Sequence, residues 1–147
     1  MSNRKALPFE VTLHVRDTCL CLHLQRAARV VARKFDDVFR PFGITQGQFS
    51  LLMSLNRPAP PSIGSVADLL AMDRTTLTAN LKPLERRGLV VVRVDEADRR
   101  SRRLSLTPSG RALLVSAVPI WKRTHAALER QLKRNADALR ADLMALS

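Results

Sequence analysis

Only two stretches of this chain read as strands, "LVVVRV" (89–94) and "RRLSL" (102–106), and a single charged loop separates them. Two strands joined by a short loop make a hairpin and nothing larger. The rest of the apolar surface must therefore be buried by helices. The hairpin is heavily charged: "RVDEADRRSRRLSLT" (93–107) holds five arginines and three acids. That much charge on one turn calls for a partner or a structural reason.

The helices can be read from periodicity. Over 18–39, Leu20, Leu24, Ala27, Val31, Phe35 and Val38 recur every three or four residues, one stripe at about 100° per residue, with Gln25, Arg29, Arg33, Asp36 and Arg40 opposite. Pro41 and Gly43 in "RPFG" end this helix. Thr45 and Gln48 form a capping box for a short helix to about Leu55. After the loop "NRPAPPS", Ser62 caps a helix over 63–71. Asp73 caps the next, "RTTLTANLKPLERR", which continues through Pro83 to Gly88 because Leu77, Leu81 and Leu84 hold the period. Thr107-Pro108 opens a long helix with a kink expected at Pro119, and Asn135 caps the last, "ADALRADLMAL". The expected order is four helices, the hairpin, then two helices: a mainly α chain in one domain, 1–147, with a small β-hairpin.

Charge narrows the partner. With 147 residues the chain builds one core, and its net charge of +12 points to a polyanion, nucleic acid or an anionic membrane surface. No apolar run approaches the about 18 residues of a membrane span. Glu10, His14 and Arg16 interrupt any signal-peptide core, and two cysteines are too few for a secreted disulfide scaffold. A soluble, cytoplasmic protein without membrane association is expected. Three scattered histidines, with no nucleophile motif and no glycine-rich phosphate loop, argue against an enzyme, and no cofactor is implied.

Two short helices, a tight turn and a hairpin behind them make a winged helix-turn-helix, here 45–107. In that motif the second helix enters the major groove of DNA and its first residues meet base edges. Arg74 stands at the entry, and Thr75, Thr76, Thr78, Ala79 and Lys82 are left outside once the leucines face the core. Threonine offers a hydroxyl and a methyl to base edges, arginine forks onto guanine, and alanine allows close approach. In the hairpin, Arg99, Arg100, Arg102 and Arg103 suit a wing tip reaching along the backbone into a minor groove. One of the acids, Asp98 foremost, is expected to pair with a neighbouring arginine and direct it. A solvated charged turn with no partner is the alternative.

The run "DRTTLTANLKPLERRGLVVVRVDEADRRSRRLSLTPSG" (73–110) resembles the signature region of the MarR family of bacterial transcriptional regulators. The family's wing pattern D-x-x-D-[RK]-R, then L-T-x-x-G, is met by Asp95, Asp98, Arg99 and Arg100, then Leu106, Thr107 and Gly110. The likeness continues upstream through "FGITQGQFSLLMSL". It implies an intertwined homodimer in which each winged lobe reads half of a pseudo-palindrome. It also implies Arg100 in the minor groove with Asp98 orienting it, and Thr75, Thr76 and Thr78 as major-groove readers. The blocks 12–40 and 108–146, whose apolar stripes lie outside the winged unit, are the expected dimerisation helices; packing on each other within one monomer is the alternative. The function implied is a sequence-specific repressor, set against a protein that coats DNA without sequence preference.

Such regulators release DNA when a small aromatic ligand binds or a cysteine is oxidised. Arg26, Arg29, Phe35 and Trp121 are candidate lining residues for such a ligand. Cys21 falls where the organic-hydroperoxide-sensing branch keeps its reactive cysteine, although that branch steadies the thiolate with tyrosine hydroxyls and this chain has no tyrosine. In one helix, Cys19 and Cys21 would be about 200° apart and unable to pair. Buried packing, redox sensing, and a half-site for metal from Cys19 and His23 all remain open.

Overall fold

In the computed structural model, which describes residues 6–147, helices α1 (Phe9–Thr18), α2 (Leu20–Phe39), α3 (Gln46–Ser54), α4 (Ile63–Leu69) and α5 (Arg74–Arg86) precede an antiparallel hairpin. The hairpin is β1 (Val90–Val94) and β2 (Arg102–Leu106), and α6 (Pro108–Glu129) and α7 (Ala136–Ala145) follow it. The chain divides into two compact units, one ending at Lys34 and the other spanning Phe35–Ser147.

The second unit holds the core. Phe39, Leu52, Val66, Leu77, Leu84 and Leu104 have no solvent exposure, so α3, α4, α5 and β2 converge on one apolar centre, joined by Leu114 and Ala117 of α6. Each such side chain stabilises the fold by roughly 1.5–3 kcal/mol. Aromatic rings continue the packing: Phe35, Phe39, Phe49, Trp121 and His125 stack in sequence with centroid separations of 5.8, 4.6, 6.4 and 4.7 Å.

The caps read from sequence are present. Thr45 Oγ1 accepts from Gln48 N at 3.2 Å while Gln48 Oε1 accepts from Thr45 N at 3.0 Å. Ser62, Asp73 and Thr107 each accept from the backbone three residues on, and Asn135 accepts from Asp137. Both internal prolines are tolerated: α5 continues through Pro83 and α6 through Pro119.

Two readings need correction. The N-terminal region contains an additional helix, α1, and the stripe helix starts at Leu20 instead of 18. Cys19 separates the two, with an extended φ of −66° and ψ of 111°, and its Sγ accepts from Leu22 N at 3.5 Å. Polar and charged residues (Glu10, Thr12, His14, Arg16) alternate with the apolar ones there, which hides a helical stripe. The helix after Ser62 ends at Leu69 instead of 71, because Ala71 turns the chain with φ 49°. The α2 stripe is buried at Phe35, 6% exposed, and left open at Leu20, Leu24 and Val31, which are 67%, 38% and 37% exposed.

The signature L-T-x-x-G has a physical cause at the hairpin's exit. Thr107 Oγ1 caps α6 by accepting from Gly110 N at 3.0 Å and donates its own proton to the Gly88 carbonyl. A Cβ on Gly110 would strike the Leu89 carbonyl oxygen, so only glycine lets α6 lie this close to the strand. Gly88, with φ 70°, provides the left-handed turn between α5 and β1.

Candidate nucleic-acid interface

The hairpin pairs in strict register, Val90 with Leu106 through Val94 with Arg102. It is tied back to the loop before α4, where Leu104 N donates to Pro61 O at 2.9 Å and Ser62 bridges Arg103. This tie aligns the hairpin with the α4–α5 pair and gives the charged loop a fixed base.

Within the loop, the acids shape the backbone. Asp95 Oδ1 accepts from Ala97 N at 2.9 Å, and Asp98 Oδ1 accepts from Arg100 N at 3.1 Å. Asp95 Oδ2 also receives Arg103 Nε at 2.8 Å, with the Asp95 side chain only 11% exposed. The Ala97 amide and then the Arg103 guanidinium hold this carboxyl below the usual carboxylate range. The side-chain pair is therefore Asp95 with Arg103. Asp98 was expected to direct the Arg100 side chain, but it holds the Arg100 backbone instead.

The four wing arginines consequently divide by role. Arg103 is bound to Asp95 and reaches Pro60 O at 3.4 Å. Arg102 Nη1 folds back onto the carbonyls of Arg99 and Ser101 at 3.2 and 3.3 Å. The Arg99 and Arg100 side chains are exposed and make no hydrogen bond or ion pair among the described residues. These are the two with guanidinium groups wholly available to a partner.

On α5, Thr75, Thr76, Thr78, Ala79 and Lys82 are all exposed, as is Arg74 at its first turn. Thr76 differs from the rest. Asp73 Oδ1 accepts its backbone N–H at 2.8 Å and Asp73 Oδ2 its hydroxyl at 2.7 Å. These two bonds, the amide first, hold the Asp73 carboxyl below its ordinary range. The Thr76 hydroxyl proton is thus committed to the helix start, leaving its methyl and lone pair outward.

Helical spacing aligns Thr75, Ala79, Lys82 and Arg86 at i, i+4, i+7 and i+11 along the outer face. Arg86, also exposed, was missed by a reading that stopped at Lys82; its place in this row was the available signal. Arg74, Thr78, Asp98, Arg100 and Arg102 line one groove of about 360 Å³, together with Ser62, Ile63, Gly64 and Ser101. The structure thereby joins the start of α5 to the loop between β1 and β2, residues 20 to 30 positions apart in sequence.

Two other sites were anticipated. Cys21 is exposed and Cys19 half-buried, so neither is a buried packing residue within this chain. Gln25 Nε2 lies 3.3 Å from Cys21 Sγ. Because Cys19 is not helical, the about 200° separation that would keep the two thiols apart does not apply. His23 Nδ1 lies 2.7 Å from the Cys19 carbonyl oxygen. Trp121 lines an apolar cavity of about 570 Å³ with Phe49, Met53, Leu69, Leu70, Val118 and Lys122 among others, while Phe35 is buried in the ring stack. No helix among the described residues is long and apolar enough to cross a membrane.

A MarR family model matches residues 42–101. The chain is 31% identical over 101 residues to the organic hydroperoxide resistance transcriptional regulator of Bacillus subtilis, covering 69% of each protein. Coverage of curated relatives is uneven, falling to 41% of the length of the activatory protein BadR of Rhodopseudomonas palustris. Among solved structures, the M. tuberculosis regulator MosR in complex with DNA is 35% identical with a TM-score of 0.81, over 88% of this chain and 93% of that one. The repressor CouR bound to a 23-mer DNA duplex is 34% identical with a TM-score of 0.78, over 90% and 94%. Hairpin, helix pair and wing signature therefore have one explanation: the chain belongs to the MarR family of DNA-binding, winged helix-turn-helix transcriptional regulators.

Proposed function

We propose that this regulator acts as a homodimeric repressor of a pseudo-palindromic operator and is released by a small aromatic ligand or an oxidant. The observation that carries the DNA-binding part is the groove shared by the α5 start and the hairpin loop, with Arg74, Arg100 and Arg102 on its walls. Thr75, Ala79, Lys82 and Arg86 make the face for the major groove, and Arg99 and Arg100 are the arms for the minor groove. The family is one of non-enzymatic regulators, and the site is used for binding.

Dimerisation is supported by apolar side chains left in solvent. In the first unit these include Phe9, Val15, Leu20 and Leu22; in α7 they include Leu139, Leu143 and Met144. Covering such surface with a second copy is the symmetric solution. Release by a ligand is supported by the Trp121 cavity, apolar with the Lys122 side chain at hand for an acid group. The exposed Cys21 supports the oxidative route.

Fluorescence anisotropy at physiological salt, with the duplex upstream of the protein's own gene and a scrambled one, tests the reading. A preference of roughly 10³ for the native duplex is expected. Equal binding to these and to a library of genomic fragments would identify a coating protein driven by the +12 charge. Sedimentation of the free protein reads the dimer in the same sample.

A further inference from the structure

Gly64, the second residue of α4, lies directly beneath the guanidinium of Arg74. A Cβ built at Gly64 would stand 2.8 Å from Arg74 Nη2 and 3.5 Å from its Cζ. The Arg74 head group therefore rests against the α4 backbone, in a place open only because residue 64 has no side chain. The Arg74 side chain makes no hydrogen bond or ion pair among the described residues, so this packing and the groove wall set the position of its guanidinium.

We propose that Gly64 is a positioning residue, and that it seats Arg74 so that Arg74 and Arg102 together hold one phosphate of the DNA backbone in the groove between α5 and the wing. The inference rests on the DNA-binding reading above and deepens it. Three guanidinium groups line this groove against one carboxylate, Asp98, which is turned to the Arg100 amide. Arg102 uses Nη1 for the loop carbonyls, which leaves Nε and Nη2 for a ligand. Guanidinium forks match phosphate oxygens in geometry and in charge. Ser62 on the rim accepts from Ser65 N through its hydroxyl oxygen, which leaves its O–H proton for a phosphate oxygen. A phosphate seat here would fix the angle between the helix in the major groove and the wing in the minor groove, because it is bound from both elements.

The test is a double-mutant cycle on duplex binding against salt, using the full chain and the operator fragment. Arg74→Ala is expected to weaken binding and to flatten the slope of log K against log salt by up to about 0.9, one phosphate-equivalent, with Arg102 keeping part of the contact. Gly64→Ala is expected to move the same way, because its methyl displaces the guanidinium. In the Arg74→Ala background Gly64→Ala should then change nothing further. A merely structural role would not move the salt slope, and alanine has the higher helix propensity, so melting temperature is expected to hold or rise.

Unchanged slope in Arg74→Ala, with the wild type salt-dependent, overturns the seat. Should Gly64→Ala unfold, that variant fails but Arg74→Ala, which touches no core residue, still decides. Independent, additive losses from the two variants overturn the positioning role. Inorganic phosphate at constant ionic strength provides the remaining arm. If it raises the melting temperature of wild type but not of Arg74→Ala, while the duplex slope stays the same, the seat serves a free anion and the DNA assignment is wrong. A wild-type protein with no salt-dependent duplex binding would instead overturn the functional reading, and the DNA assignment with it.

Discussion

The carboxylate of Asp73 grips Thr76 twice, through the backbone N–H at 2.8 Å and the hydroxyl at 2.7 Å. This pair makes the first turn of α5 rigid and withdraws one hydroxyl proton from the surface that meets DNA. Thr76→Val is therefore expected to lower the melting temperature by roughly 3 °C and to weaken operator and scrambled duplexes alike. Thr75→Val, on the outer row, should alter base preference instead. Selection from a randomised operator library with both variants separates the two effects.

The same pair predicts an acid dependence. Asp73 titrates below its unfolded value, so its contribution is fully present above about pH 4 and is lost as pH falls through the lowered folded value. Asp73→Asn keeps a capping oxygen but cannot titrate. Comparing melting curves of wild type and Asp73→Asn from neutral pH into the acid range should show the gap between them closing below about pH 4; a constant gap would count against the linkage.

Wing arginines are predicted to separate by assay. Arg100→Ala should flatten the salt slope of duplex binding by about one phosphate-equivalent, since its side chain is free for a partner. Arg103→Ala should act mainly on the fold of the loop, because its guanidinium is held by Asp95. Limited proteolysis within 95–101 is expected to quicken in Arg103→Ala and not in Arg100→Ala.

Backbone geometry allows two stability predictions of opposite sign. Ala71 holds φ 49° in the turn between α4 and α5, so Ala71→Gly should stabilise by about 1 kcal/mol. Gly110→Ala must push α6 off the Leu89 carbonyl and should cost about 2–3 kcal/mol. Urea unfolding of the two variants beside wild type measures both, with no change in m expected for either.

Oxidation supplies the last prediction. If the exposed Cys21 thiol is the oxidant's target, organic hydroperoxide should release the operator from wild type, and reductant should restore binding. Cys21→Ser should stay bound throughout. Release from Cys21→Ser at the same peroxide dose would remove that cysteine from the switch.

What could be read in one dimension was whatever depends on neighbours within about a turn of chain. Asp73 before "RTTL", Thr45 with Gln48, Thr107 before Pro108, and the period of Leu77, Leu81 and Leu84 declare helix ends and faces by local hydrogen bonding and by 3.6-residue geometry. The wing and the family resemblance were legible for the same reason. The α1 helix was not, because its apolar residues lack a clean stripe and the break at Cys19 leaves no proline or glycine behind. Other features depend on pairs distant in sequence. That Asp95 rather than Asp98 takes an arginine side chain, that Arg87 Nη1 reaches Gly43 O at 2.6 Å, and that Gly64 makes room for Arg74 are decided by tertiary packing. Residue types alone specify that a guanidinium will find an acceptor; only the folded chain determines which one lies within reach.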